Sequence, residues 1–261
     1  MKTFEDDFLQ ICKKLVNREP FAFNRFSDGE LYILQNKELI LDKNVIKIGE
    51  HLSYGPYKPH DFKHFDPSKH AECRKLLIES FRFTKKNYYK GICCACCINK
   101  EDFKWQIDFI KNGKDEWLTW SNLLVNSNYS NFINIMFPQF FNYKTVILCN
   151  EKADLFRFPF IVKDFRIGYN AMINNYSIID DIKRWIFNNK IKGHLFLFSA
   201  SVLSKIAIHQ LYKFCDENTY IDIGTTITPL MNLGFDRSYL RSYWLGSNEP
   251  DGKKICIWKE I

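Results

Sequence analysis

Two acidic residues near the start of the chain are the first candidates for chemistry in this sequence. Asp28 and Glu30 flank Gly29, and they follow residues 21–26, where apolar and polar residues alternate towards the end as in a β-strand. In a turn, two carboxylates at this spacing can face one site and supply the hard oxygen ligands that Mg²⁺ or Mn²⁺ prefers. Such an ion would neutralise a diphosphate. A purely structural interpretation is equally simple: Asp28 caps the following helix, and Glu30 lies in its first turn.

Two later polar turns have the residue types of a phosphate or nucleotide site. Their residues are Ser199 and Ser201 in the first turn and Asp222, Gly224 and Thr225 in the second. The first turn follows a predicted strand and the second lies at the end of the next, and ligands of open parallel sheets bind beyond the carboxyl ends of the strands. We therefore expect these residues around the same pocket as Asp28. The serine turn also suits an ordinary helix cap, and the chain has no Gly-x-Gly-x-x-Gly or Gly-Lys-[Ser/Thr] motif.

The overlapping Cys-x-x-Cys spacings within residues 93–97 invite a zinc or redox interpretation. We predict instead that residues 89–98 form a buried strand, because the run is short, apolar and made of small side chains. Alternation along a strand would separate Cys94 and Cys96 from the two outer cysteines, and no second ligand pair follows. We therefore expect no metal here. Nine cysteines, an odd number, in a chain with no export signal predict reduced thiols throughout.

Helical and strand patterns alternate along the chain, which predicts an α/β fold with a mostly parallel, Rossmann-like sheet and helices on both faces. Predicted helices cover residues 4–17, 68–88, 100–112, 129–141, 178–189 and a segment after 201. Predicted strands cover 21–26, 89–98, 145–149, 158–165, 194–198, 220–224 and 254–258. No linker or repeat is evident, so we expect one domain over 1–261.

Residues 51–66 are predicted as a long loop, because they contain glycine and prolines without a sustained period. Histidines in or beside it could include a catalytic base or a ligand, although lone loop histidines more often have neither role. They are His51, His60, His64 and His70.

The composition is that of a folded globular protein: 46% of residues are hydrophobic and 16% aromatic, which excludes a disordered chain. The net charge of +7 comes from scattered lysines without a block of like charges, so we expect a solvated basic surface and no nucleic-acid partner. No apolar run reaches the roughly 18 residues of a membrane span, and the N-terminus is acidic. We therefore expect a cytoplasmic protein with no membrane span.

The segment Arg25-Phe26-Ser27-Asp28-Gly29-Glu30 resembles the Arg-Phe-Gly-Asp-Gly-Glu signature of the GT-D-fold glycosyltransferases. Looser similarity continues in the same order at residues 125–129, 148–151, 220–225 and 241–243. One departure is Ser27, which stands where the family has its first glycine and changes the freedom of the turn.

The resemblance implies metal-assisted transfer of a sugar from a nucleoside-diphosphate donor to a glycan or glycoconjugate acceptor. Asp28 and Glu30 would be the catalytic pair and would hold Mn²⁺ or Mg²⁺. With the two polar turns, the expected donor-binding residues are Arg25, Ser27, Gly29, Ser199, Ser201, Asp222, Gly224, Thr225 and Arg241. Arg241 would clamp phosphate, since its planar fork suits diphosphate oxygens, although a surface salt bridge is as good an interpretation.

Two alternatives remain at this point. One is another nucleotide-cofactor enzyme of the same fold class, such as a methyltransferase, for which the glycine-rich first turn is missing. The other is a non-catalytic RNA-binding module that would use lysines together with the aromatic rings of Phe81, Tyr88 and Tyr89.

Overall fold

Seven strands form the central sheet of the computed structural model, which describes residues 4–56, 62–110 and 117–248. The strands of both sheets are β1 (Ala22–Arg25), β2 (Leu39–Leu41), β3 (Val45–Ile48), β4 (His51–Tyr54), β5 (Lys63–Phe65), β6 (Tyr88–Ile92), β7 (Leu118–Trp120), β8 (Thr145–Asn150), β9 (Ile161–Ile167), β10 (Leu195–Phe198) and β11 (Thr219–Asp222). The central order is β7-β6-β1-β11-β10-β8-β9, and every neighbouring pair is parallel. The carboxyl ends of β1, β11 and β10 therefore lie side by side.

Helices flank this sheet. They are α1 (Phe4–Val16), α2 (Asp28–Leu34), α3 (Ala71–Arg82), α4 (Lys100–Ile110), α5 (Tyr129–Asn131), α6 (Ala171–Asn174), α7 (Ile178–Asn188), α8 (Val202–Phe214) and α9 (Ser238–Leu245). α5 continues through a π-helical turn and a 3₁₀ segment to residue 142. Within the described ranges no helix combines the length and the apolar character needed to cross a membrane.

Side chains on neighbouring positions of β1 show that helices cover both faces of the sheet. The amide of Asn24 donates to the backbone carbonyl of Lys205 in α8. Arg25, the next residue, points to the opposite face. It pairs with Gly91 of β6, which pairs with Thr119 of β7, so Arg25 and Thr119 lie on the same face. Thr119 in turn donates to Asp7 of α1. Helices α8 and α1 therefore lie on opposite faces, and the predicted α/β fold with a parallel sheet is confirmed.

Helix α8 is largely buried against the central sheet. Ten of its thirteen residues are buried, and it packs against β1, β11, α3 and α7. Apolar residues occur on most sides of α8, which is typical of a helix in the interior of a domain. It begins directly after Ser201, so its first turn lies at the carboxyl edge of the sheet.

The predicted loop at residues 51–66 is wrong in part, because it contains β4 and β5. These strands belong to a second, antiparallel sheet in the order β4-β3-β2-β5. The backbone of His64 and the side-chain amide of Asn170 exchange two hydrogen bonds, at 3.2 and 3.0 Å, which joins this sheet to the segment after β9. Strands of three or four residues give too short a pattern to be recognised in sequence, and cross-strand pairing stabilises them.

Other element boundaries also differ from the predictions. The helix predicted at 68–88 ends at Arg82, and the short strand β7 was not predicted. The strand predicted at 89–98 ends at Ile92, and residues 94–97 form a turn instead. Residues 94–97 therefore do not alternate between two sheet faces, and the argument that separated Cys94 and Cys96 from the outer cysteines does not apply. The strand predicted at 254–258 lies outside the described residues.

Candidate active site

A cavity of about 820 Å³ lies at the carboxyl ends of the central strands. This volume is typical of sites that enclose a small-molecule ligand. Ten of the eleven predicted site residues line it, and they come from the carboxyl ends of β1 and β11 and from the turns after β1, β10 and β11. They are Arg25, Ser27, Asp28, Gly29, Glu30, Ser199, Ser201, Asp222, Gly224 and Thr225. The cavity also includes Asn126 and Glu151 from the other two segments that resemble the GT-D signature.

Ser27, rather than Asp28, is the N-cap of α2. Glu30 stands three residues later, and its Oε2 accepts a hydrogen bond from the backbone N–H of Ser27 at 2.9 Å, as in a capping box. Asp28 is exposed, and its Oδ1 accepts from the N–H of Gly29 at 2.9 Å. Glu30, in contrast, is only 3% exposed, so the two carboxylates lie in different environments.

A buried ammonium group, which sequence reasoning missed, lies beneath the cavity. Lys205 in α8 places its Nζ 2.7 Å from Asp222 Oδ2 and 3.5 Å from Glu30 Oε1, and the three side chains are 7%, 1% and 3% exposed. Two carboxylates around one lysine compensate its charge where the three side chains are almost fully buried. The available signal was a lysine inside the otherwise apolar run of residues 202–208.

The pKa of Glu30 is lowered from its ordinary value, although burial, the largest single influence, acts to raise it. The nearby ammonium groups of Lys205 and Lys63 and the N–H of Ser27 favour the charged form, and together they outweigh burial. Glu30 is therefore ionised at neutral pH and forms a true ion pair with Lys205.

A hydrogen bond to the backbone anchors Arg25 at the end of β1. Its Nε donates to the carbonyl of Ser121 at 2.6 Å, and its side chain is buried apart from the part that lines the cavity. Gly224 has φ +51, and a Cβ built there would lie 2.9 Å from Arg25 Nη1. The N–H of Gly224 also donates to Asp222 Oδ1 at 3.0 Å. Glycine at this position allows both the left-handed backbone and the close approach of the guanidinium.

Substituting Gly224→Ala tests this packing. The left-handed backbone alone should cost roughly 1–2 kcal/mol of unfolding free energy, and the methyl group should add the cost of moving the anchored Arg25. Gly193→Ala is the matched control, because Gly193 has φ +67 with nothing within 4 Å of the added Cβ. Urea unfolding should show a larger loss for Gly224→Ala. Equal losses in the two variants would contradict the contact with Arg25.

The serine turn before α8 has an unusual backbone. Ser201, the N-cap residue, has φ +52 and ψ −136, a conformation that side-chain-bearing residues rarely adopt. Its Oγ is buried and lacks a hydrogen-bond partner among the described residues, while its carbonyl accepts from Lys205 Nζ at 3.1 Å. Strain together with an unsatisfied hydroxyl at a cavity wall is typical of a position shaped for a ligand.

Arg241, which was predicted to clamp phosphate, lies outside the cavity lining. Its Nη1 donates to the carbonyls of Phe235 and Asp236 at 3.1 and 3.0 Å. These bonds hold the segment before α9, which brings Arg237 to the cavity instead. The sequence offered two arginines four residues apart, and only the start of α9 at Ser238 distinguishes their roles.

The histidine and RNA-binding hypotheses gain no support from the geometry. None of the described histidines lines the cavity, and His60 lies outside the described residues. Phe81, Tyr88 and Tyr89 are 1–3% exposed, so their rings cannot stack with RNA bases.

Neither protein-family models nor curated protein sequences match this chain. Several solved structures are similar to it. A conserved domain of unknown function, number 1792, described as having a distinct glycosyltransferase fold, is similar with a TM-score of 0.54 and 12% identity over 92% of this chain and 81% of that one. A glycosyltransferase containing the same type of domain, from Streptococcus sanguinis, is similar with a TM-score of 0.55 and 14% identity over 93% of this chain and 85% of that one.

This chain has the fold of those glycosyltransferase domains. The similarity extends over 92% and 93% of this chain in the two comparisons. At this level of identity the comparison establishes the fold, and the chemistry must be argued from the side chains.

Proposed function

We propose that this chain is a metal-assisted glycosyltransferase that moves a sugar from a nucleoside-diphosphate donor to a glycan or glycoconjugate acceptor. The observation that carries the proposal is the cavity at the ends of β1, β10 and β11, where exposed Asp28 faces a ligand-sized space on a glycosyltransferase fold. Arg25 and Arg237 line the same space.

The charge of the cavity suits a donor that arrives with a divalent ion. Among the described residues, five basic and five acidic residues line it, so their formal charges balance. A balanced site has no excess charge to attract a bare dianionic diphosphate. It is complementary to a diphosphate whose charge a divalent ion already neutralises, which supports metal assistance.

Asp28 fits such an ion and Glu30 does not. Mg²⁺ commonly takes one or two carboxylates, substrate phosphates and several waters, and exposed Asp28 can serve as one such ligand. Glu30 already faces Lys205 and the N–H of Ser27 with its two oxygens. In this proposal Asp28 holds the ion. Glu30 keeps the turn in place through its ion pair with Lys205 and does not contact the ion.

The chain's own groups would stabilise the charge that develops during transfer. An acceptor hydroxyl attacks the anomeric carbon, and the bond from that carbon to the diphosphate oxygen breaks. The bound ion would supply Lewis-acid stabilisation of the leaving diphosphate. Arg25 and Arg237 would bind its oxygens, because a fixed guanidinium placed where charge develops costs no reorganisation during the reaction.

A thermal-shift screen of nucleoside diphosphates and their sugars, with and without Mn²⁺, tests the proposal. A donor present at about 100 times its dissociation constant should raise the melting temperature by roughly 5–10 °C, and Mn²⁺ should enlarge the shift. Nucleosides without phosphate are the control ligands. Release of nucleoside diphosphate in the presence of an acceptor mixture should follow the same donor preference.

Two results would overturn the proposal. One is no shift and no turnover with any nucleotide sugar. The other is salt-sensitive binding of RNA without turnover, which would favour a binding module in spite of the buried aromatic rings.

A further inference from the structure

Three cysteines of one turn converge beside the cavity. The turn follows β6 and is closed by a hydrogen bond from the N–H of Cys97 to the carbonyl of Cys94 at 3.0 Å. It brings the Sγ atoms of Cys94, Cys96 and Cys97 within 4.8 Å of one another, and those of Cys94 and Cys96 to 2.9 Å. Cys94 is buried and the other two are half-buried.

The side-chain amide of Asn122 contacts two of these sulfurs. Asn122 Nδ2 lies 3.1 Å from Cys97 Sγ and 3.5 Å from Cys94 Sγ, with its N–H donors directed at both sulfurs. Hydrogen bonds to sulfur stabilise a thiolate and orient it as a ligand. Thiolate rather than thiol is the form of cysteine that binds metals.

We propose that Cys94, Cys96 and Cys97 bind one Zn²⁺ ion. Thiolates select soft or borderline ions such as Zn²⁺, and Zn–S bonds of about 2.3 Å place tetrahedral sulfurs roughly 3.8 Å apart. That spacing is within reach of the observed cluster after small side-chain shifts. Binding releases the thiol protons to solvent. The site does not depend on the proposed glycosyl transfer.

The position of the cluster gives the ion a structural role. Asn122 follows Ser121, whose carbonyl accepts from Arg25 Nε, and the carbonyl of Asn122 accepts from Asn128 Nδ2 at 3.0 Å. Cys97 and Asn122 both line the cavity. Zinc bound to the turn would therefore rigidify the wall of the cavity that anchors Arg25, without taking part in the reaction.

Metal analysis of the full chain, purified under reducing conditions without chelator, tests the site. We expect about one zinc per chain by mass spectrometry, and cobalt(II) exchanged into the protein should show sulfur-to-cobalt charge-transfer absorption. Cys97→Ser should lose the metal. Cys93→Ser should retain it, because Cys93 belongs to the same segment but its Sγ faces the carbonyl of Phe26 at 3.6 Å.

A second variant examines the role of the amide. Asn122→Leu removes the N–H donors without supplying a new zinc ligand, and it should weaken zinc binding by about 10- to 100-fold in competition with a chromogenic chelator. The proposal fails if the reduced protein neither contains nor takes up zinc. It also fails if Cys93→Ser loses metal as fully as Cys97→Ser, or if the three thiols bind no metal and only form a disulfide on mild oxidation.

Discussion

Replacing Lys205 by methionine is expected to lower the free energy of unfolding by about 3–5 kcal/mol, because it leaves two buried carboxylates without their cation. Asp222 and Glu30 are 1% and 3% exposed and lie 2.7 and 3.5 Å from the ammonium group. Urea unfolding measures the loss. Lys213→Met is the control on the same helix, since Lys213 is exposed, and it should change stability by no more than about 0.5 kcal/mol.

The loss should depend on pH in a defined direction. In the parent protein the pKa of Glu30 is lowered, so its contribution to stability is present above its unfolded pKa and disappears as pH falls through the folded value. Without Lys205, burial becomes the dominant influence and raises the pKa of Glu30. The charged carboxylate then destabilises the variant at neutral pH, and protonation removes that cost. The difference between variant and parent should therefore be smaller near pH 5 than at pH 7.5.

Removing the two carboxylate charges as well separates a charge effect from a packing effect. The triple variant Lys205→Met, Glu30→Gln, Asp222→Asn has no uncompensated charge, and its amide oxygens can still accept from the N–H groups of Ser27 and Gly224. Only the smaller cost of burying neutral amides then remains. The triple variant should recover most of the lost stability. A loss that stays the same in the triple variant and at both pH values would show that Lys205 contributes by packing alone.

Much of the site could be predicted because it depends on local pattern and on topology. Asp28 and Ser199 follow strands and Asp222 ends one, and parallel strands place such ends along one edge of the sheet. The strand order then makes β1, β11 and β10 neighbours. The polar residue types at strand ends were therefore sufficient to bring ten of the eleven predicted residues to one cavity.

The features that were not predicted depend on contacts between distant segments. A lysine on α8 is tolerated in the core only because carboxylates from β11 and α2 reach it. The cysteine turn looks like a strand in sequence, since its residues are small and apolar, but the parallel pairing of β6 with β7 ends at Ile92. Arg237 and Arg241 differ only by their position relative to the start of α9.

Asp28→Asn is expected to reduce sugar transfer by about 100-fold or more and to change the free energy of unfolding by no more than about 0.5 kcal/mol. Asp28 is exposed, and the capping of α2 depends on Ser27 and Glu30. Asparagine can still accept the hydrogen bond from the N–H of Gly29, which Asp28 Oδ1 accepts at 2.9 Å. The substitution therefore removes the charge that would hold the ion and keeps the turn.

Glu30→Gln is the matched comparison for Asp28→Asn, because it neutralises a carboxylate two residues away in the same turn. Glutamine can keep the bond to the N–H of Ser27 but loses the ion pair with Lys205, so activity and stability should fall together. Rates of nucleoside-diphosphate release, urea unfolding and the Mn²⁺-dependent thermal shift should be measured for both variants. A folded Asp28→Asn protein that transfers sugar at near the parental rate, with unchanged Mn²⁺ dependence, would falsify the role of Asp28. If both variants lose activity in proportion to their loss of unfolding free energy, Asp28 has only a structural role, like Glu30.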